Sequence, residues 1–99
     1  MLDIEKTTED KRIIYSLEGR LDTTTSPDLE KEVEAVPADT RELVFDFEKL
    51  EYISSAGLRV LLAAQKLMAK QGEMKVLNVN ESIMGIFEVT GFTDILTIE

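Results

Sequence analysis

A chain of 99 residues has room for one hydrophobic core and little for a second. Hydrophobic residues make up 43% and charged residues 31%, the balance of a folded globular domain rather than a disordered segment. With 11 Lys and Arg against 20 Asp and Glu, the formal charge of −9 repels phosphate backbones and anionic headgroups, so neither nucleic-acid nor direct membrane binding is expected.

That acidity favours a protein partner with a basic face. The absence of cysteine excludes disulfides and thiolate chemistry. No apolar run approaches the roughly 18 to 20 residues that span a bilayer, and Met1-Leu2-Asp3-Ile4-Glu5 lacks the basic and hydrophobic regions of a signal peptide, so the expected location is the cytoplasm.

In chain order, Asp3 to Thr8 alternates weakly and Glu9-Asp10-Lys11 is polar enough to turn. Arg12 to Glu18 then sets Ile13, Tyr15 and Leu17 on one side and Ile14, Ser16 and Glu18 on the other, a strand with one buried face. The two form a predicted hairpin, and Gly19-Arg20-Leu21-Asp22 ends it. Thr23-Thr24-Thr25-Ser26-Pro27 is a run of capping residues with Pro27 suited to a first helical turn, where its missing N–H is not needed. Leu29, Val33 and Val36 continue as an apolar stripe until Pro37 stops it.

Leu43-Val44-Phe45-Asp46-Phe47 is nearly continuous in apolar residues, as for a central strand covered by helices on both sides. Asp46 is expected near that strand's C-terminal end, where open α/β sheets gather binding groups, or else bonded to the backbone of a following turn. Ser55 to about Gln71 reads as a helix. Its buried face is Val60, Leu61, Ala64, Leu67 and Met68, the opposite face is Arg59, Ala63, Lys66 and Lys70, and Gly72 ends it. Met74 to Val79 returns as a parallel strand through a right-handed crossover. Asn80 caps a third helix with Ile83, Ile86 and Phe87 inward and Gly91 at its end, and Ile95 to Ile98 adds a short edge strand. The sum is an α/β fold, a four- or five-stranded mixed sheet with three or four helices spanning residues 1–99 as a single domain.

The place of chemical interest is Ser54-Ser55, where an apolar approach opens into a helix. A serine there caps the helix by accepting a backbone N–H. The same spot suits a phosphate, because unpaired N–H groups and the positive end of the helix dipole converge on it. Intrinsic catalysis lacks its parts. There is no histidine to serve as general base, Ile53-Ser54-Ser55-Ala56-Gly57 has no leading glycine for a nucleophile elbow, and no phosphate-binding glycine loop occurs. No metal site is expected beyond a chance pairing of carboxylates such as Asp22 and Asp46, and no cofactor.

Asp46 through Leu58 resembles the signature of the STAS domain, the fold of bacterial anti-sigma factor antagonists. Gly19-Arg20-Leu21-Asp22 is similar to that family's step ahead of its first helix, and Asn80-Glu81-Ser82-Ile83 through Gly91-Phe92 to its later helix and turn. The resemblance implies a binding protein rather than an enzyme. Its partners would be an anti-sigma factor that is also a serine kinase, whose capture frees a sigma factor until phosphorylation ends the binding, and a serine phosphatase that restores it. It places phosphorylation at Ser55, with Ser54 a second candidate because many members carry Asp there. Asp22 matches an acidic residue in the neighbouring loop, and Thr24, Ser54, Ala56, Gly57 and Arg59 surround the acceptor as partner-binding residues. Two other expectations stay open: a STAS subunit of a transporter or signalling assembly with the serine as a plain cap, and a small-ligand or nucleotide site at the corner of Asp22, Asp46 and Ser55.

Overall fold

The computed structural model describes residues 1–99. Five strands, β1 (Leu2–Glu9), β2 (Arg12–Leu21), β3 (Glu42–Ile53), β4 (Glu73–Leu77) and β5 (Thr97–Ile98), alternate after the first hairpin with helices α1 (Ser26–Glu34), α2 (Ser55–Ala69) and α3 (Glu81–Thr90). A 3-10 turn at Phe92–Asp94 precedes β5. The sheet order is β1-β2-β3-β4-β5, with β1 antiparallel to β2 and every later pair parallel. This is the expected mixed α/β sheet.

Because sheet order follows chain order through successive crossovers of one hand, all three helices fall on one face. Side chains agree. The Tyr15 hydroxyl donates to the Glu32 carbonyl of α1 at 3.2 Å, Tyr15 stacks on Phe45 at 5.8 Å, and Phe47 meets Phe87 of α3 at 6.3 Å. Leu61, Ala64 and Met68 of α2 join the same core of 22 buried residues. So β3 is not covered by helices on both sides, as its apolar run predicted. Val44 points to the other face and is buried by its sheet neighbours: Ile14 and Lys75 flank it in register, and Glu42 pairs with Arg12 at 2.6 Å and Lys75 at 3.2 Å.

The second correction is the length of β3, which continues through Ile53 rather than ending after Phe47. Two irregularities in its pairing with β2 each give β3 one residue more than its partner, first opposite Ser16 to Glu18 and then opposite Gly19 to Arg20. Such bulges bend and twist a strand while keeping it in the sheet. Asp46 therefore lies in mid-strand. Its Oδ1 accepts the Glu48 N–H at 3.0 Å and the Asn78 Nδ2 at 2.9 Å, fastening the first bulge to the residue after β4.

The remaining helix ends follow local chemistry. Pro27 stands in the first turn of α1, and the helix stops at Glu34, so Val36 packs into the core from the following turn and not from the helix. β4 stops at Leu77 because Asn78 adopts a left-handed φ of 58°. Asn80 Oδ1 accepts the Ile83 N–H at 2.9 Å to cap α3, while its Nδ2 donates to the Leu50 carbonyl at 3.0 Å. Gly91, at φ 80°, closes α3 in the left-handed conformation that glycine adopts without a Cβ penalty.

Candidate functional site

The parallel strands β2 and β3 end at the same edge of the sheet. Arg20 lies opposite Tyr52 and Leu21 opposite Ile53, and the Ser54 N–H donates to the Leu21 carbonyl at 2.9 Å, one step beyond the ladder. The loop that starts at Asp22 and the helix that starts at Ser55 thus leave the sheet side by side. The proximity of Asp22 and Ser55 is a consequence of strand register.

At the start of α2 the two serines divide two roles. Ser54 is extended, with φ −101° and ψ 177°, and its Oγ accepts the Gly57 N–H at 3.5 Å, a long cap bond. Its carbonyl takes the first helical N–H, from Leu58, at 3.0 Å. Ser55 is the first helical residue, exposed, and its side chain takes no part in the cap. A free hydroxyl at the positive end of a 15-residue helix results.

Gly57, a partner-binding candidate in the sequence, is buried in the first turn of α2. A Cβ on Gly57 would stand 2.8 Å from Ile53 Cγ1 and 2.8 Å from Leu21 Cγ. The glycine lets the helix sit down on the strand ends, and thereby fixes where Ser55 emerges. Ala56 is half-buried, while Thr24 and Arg59 are exposed.

Asp22 organises the neighbouring loop. Its Oδ1 accepts the Thr24 hydroxyl at 2.8 Å, the Thr24 N–H at 3.0 Å and the Thr25 N–H at 3.1 Å. These bonds, the Thr24 hydroxyl foremost, hold its carboxyl below the ordinary 3.8. Thr25, whose hydroxyl accepts the Asp22 N–H and donates to the Arg20 carbonyl, both at 2.8 Å, completes the knot. Oδ2 faces Arg20 Nε at 3.9 Å, and the Arg20 guanidinium lies 4.4 Å over the ring of the exposed Tyr52. The sequence does not disclose Arg20 and Tyr52, because Gly19-Arg20-Leu21-Asp22 reads as the end of the strand and not as its last ladder residues. Their signal was the register itself, which sets the two side chains on one face of adjacent strands.

Asp46 does not join this group. It stands seven residues before Ile53 on the same strand, about 20 Å from the serines, so the corner of Asp22, Asp46 and Ser55 does not exist as a ligand site. A hollow of about 450 Å³ lies instead against β1, β2 and the first bulge, with Asp3, Glu5, Glu18, Asp46 and Glu48 around it. Beside the serines a smaller groove, about 180 Å³, runs between the starts of α1 and α2. It is lined by Thr23, Ser26, Pro27, Glu30, Ala56 and Arg59, and the Ser26 hydroxyl is buried without a partner. No group of three or more His, Cys, Asp or Glu gathers to hold a metal, and no helix is long and apolar enough to cross a membrane.

The model of the STAS domain matches residues 3–99. The chain is 38% identical to BtrV of Bordetella bronchiseptica over 91 residues, covering 90% of this chain and 78% of that one. It is 33% identical to the anti-sigma-B factor antagonist of Staphylococcus aureus over 97 residues, 96% of this chain and 90% of the other. Among solved structures, an anti-sigma factor antagonist from Mycobacterium paratuberculosis superposes with a TM-score of 0.89 at 24% identity, covering 99% and 85% of the two chains. The Bacillus antagonist SpoIIAA, solved in unphosphorylated and phosphorylated forms, gives 0.73 and 0.72 at 15% and 16% identity, over 100% of this chain and 87% and 91% of those. These structural likenesses speak to the fold. The chain belongs to the STAS family, among the anti-sigma factor antagonists.

Proposed function

We propose that this STAS domain is a cytoplasmic anti-sigma factor antagonist whose binding is switched by phosphorylation of Ser55. The observation that carries the proposal is the exposed hydroxyl of Ser55 on the first turn of α2, relieved of capping by Ser54. The relatives' names support an anti-sigma factor as the partner class, and the proposal adds that this partner is the serine kinase. In the transfer, Ser55 Oγ attacks the γ-phosphorus of ATP held by the partner, the bond to the β–γ bridging oxygen breaks, ADP leaves, and the hydroxyl proton passes to the kinase's base. A serine phosphatase reverses the step with water and releases inorganic phosphate.

The modification adds about −1.5 to −2 of charge and three acceptor oxygens. The fold tolerates them, because an anion at a helix N-terminus is favourable. A docked partner does not: an anion trapped at an interface without a cation costs about 2 to 5 kcal/mol, or about 30- to several-thousand-fold in affinity. Asp22, in the adjacent loop, adds negative charge at the same edge.

The test is to incubate the protein with its cognate kinase and ATP and to map the modified residue by mass spectrometry. Phosphate on Ser55 is expected, and phosphate on Ser54, Thr24 or Thr25 instead refutes the assignment. In binding titrations Ser55→Ala retains affinity for the kinase and Ser55→Asp loses at least tenfold, whereas equal affinities contradict a switch.

A further inference from the structure

We infer that Arg59 is the counter-cation of the switch, exposed and unpaired while Ser55 is unmodified and drawn onto the phosphate once Ser55 carries one. This rests on the reading of Ser55 as the acceptor. Residues four apart on a helix are neighbours, their Cβ atoms about 5 to 6 Å from one another, and the favourable order places the anion toward the N-terminus and the cation toward the C-terminus. Ser55 and Arg59 stand in that order on α2.

The electrostatic surroundings single Arg59 out. The cations of this acidic chain that make ion pairs are Arg12, Arg20 and Lys75, and Arg59 is not among them. Arg20, the other arginine at this edge, is held over Tyr52 and faces Asp22. Of the acids nearby, Glu30 lines the same groove as Arg59 without pairing with it, and Asp22 spends Oδ1 on Thr24 and Thr25. A phosphate on Ser55 therefore meets one uncommitted guanidinium within a single helical turn. Arginine is suited to the task, since its planar fork takes two phosphate oxygens at once.

The consequence concerns how the partner is released. Before modification the Arg59 guanidinium is available to an acidic group on the partner, and afterwards it is engaged within its own chain. Phosphorylation thus adds an anion to the docking surface and withdraws a cation from it.

Phosphoserine installed directly at position 55 by codon suppression tests the pair without relying on any kinase. Phosphorus NMR should place the phosphate's second ionisation lower in the wild-type background than with Arg59→Gln, by about 0.15 to 0.4 pH unit, and Arg59→Lys should recover part of the difference. Identical titrations in the wild-type and Arg59→Gln backgrounds overturn the pairing. With unmodified protein, Arg59→Gln should bind the kinase about 2- to 5-fold more weakly, and installing the phosphate should then cost a correspondingly smaller factor than in wild type. Unchanged affinity of the unmodified variant overturns the withdrawal. A kinase that modifies another residue defeats the proposed function while leaving the titration to decide the pair.

Discussion

Replacing Gly57 by alanine puts one methyl group between α2 and the strand ends that carry it. The new Cβ would lie 2.8 Å from Ile53 Cγ1, 2.8 Å from Leu21 Cγ and 2.9 Å from Leu21 Cδ2, each about 1 Å inside a comfortable carbon–carbon separation. Leu21 and Ile53 are 0% and 2% exposed and cannot swing aside, so the first turn of α2 must lift. Overpacking of this kind costs about 1 to 3 kcal/mol, and the better helix propensity of alanine returns about 0.5 to 1 kcal/mol, leaving a net loss of about 0.5 to 2 kcal/mol. For a domain of this size the thermal midpoint should fall by about 2 to 15 °C, read by circular dichroism at 222 nm. Gly85 in α3 is the control: nothing lies within 4 Å of a Cβ there, so Gly85→Ala should gain about 0.5 to 1 kcal/mol. A Gly57→Ala protein as stable as wild type, or a Gly85→Ala protein that loses as much, refutes the steric reasoning.

Removing the cap with Ser54→Ala should cost about 0.5 to 1 kcal/mol in urea denaturation, the low end for a cap because the bond measures 3.5 Å, and an unchanged midpoint would deny Ser54 that role. Asp22 has a folded-state carboxyl held below 3.8, so its stabilising contribution is complete above that value and is lost as pH falls through the folded one. The stability gap between wild type and Asp22→Asn should therefore be full at pH 7 and close below about pH 4; a gap of constant size speaks against the hydrogen-bonded loop. Burial, reinforced by Glu32, pushes the Tyr15 phenol up to about 12 from 10.0, so the neutral ring stabilises the fold fully below pH 10 and that part disappears as pH rises toward 12. Tyr15→Phe should flatten this alkaline decline in melts at pH 9 to 12, and an identical decline in both proteins contradicts a raised phenol.

Much of this architecture is legible in the chain, and what is not has local causes. In β2, Ile13, Tyr15 and Leu17 alternate without interruption, and α3 is bracketed by Asn80 and Gly91, so both elements can be read directly. β3 defeats the same reading because its bulges break the period. Beyond Phe47 the buried residues fall at Leu50 and Ile53, three apart, with Glu48, Lys49, Glu51 and Tyr52 exposed between them. A strand with period two does not produce that spacing, so the run reads as stopping early with Asp46 near its end. The open face of the sheet is hidden for another reason: Val44 is apolar and fully buried, and sequence does not distinguish a helix above it from the stems of Arg12 and Lys75 beside it. Ser54 and Ser55 are adjacent and identical, and only backbone geometry decides which caps: the extended ψ of 177° at Ser54 gives it the cap and frees Ser55.

That division bears on why the helix mouth can take a phosphate without refolding. In the family pattern that the chain resembles, the position of Ser54 is commonly Asp, whose carboxylate already answers the positive end of the helix. Here the cap is a neutral hydroxyl on a long bond, and no acidic residue occupies the first turn of α2. The dipole at that end is consequently uncompensated in the unmodified protein, and an anion arriving at Ser55 meets attraction from the helix and from Arg59 with no like charge at the cap to oppose it. The repulsion that remains comes from Asp22, one residue beyond the carbonyl that holds Ser54, where a partner spanning both loops would also feel it. Under the proposed switch the fold and the docking surface would respond to the same phosphate with opposite signs, which is the physical requirement for a modification that changes binding and spares structure.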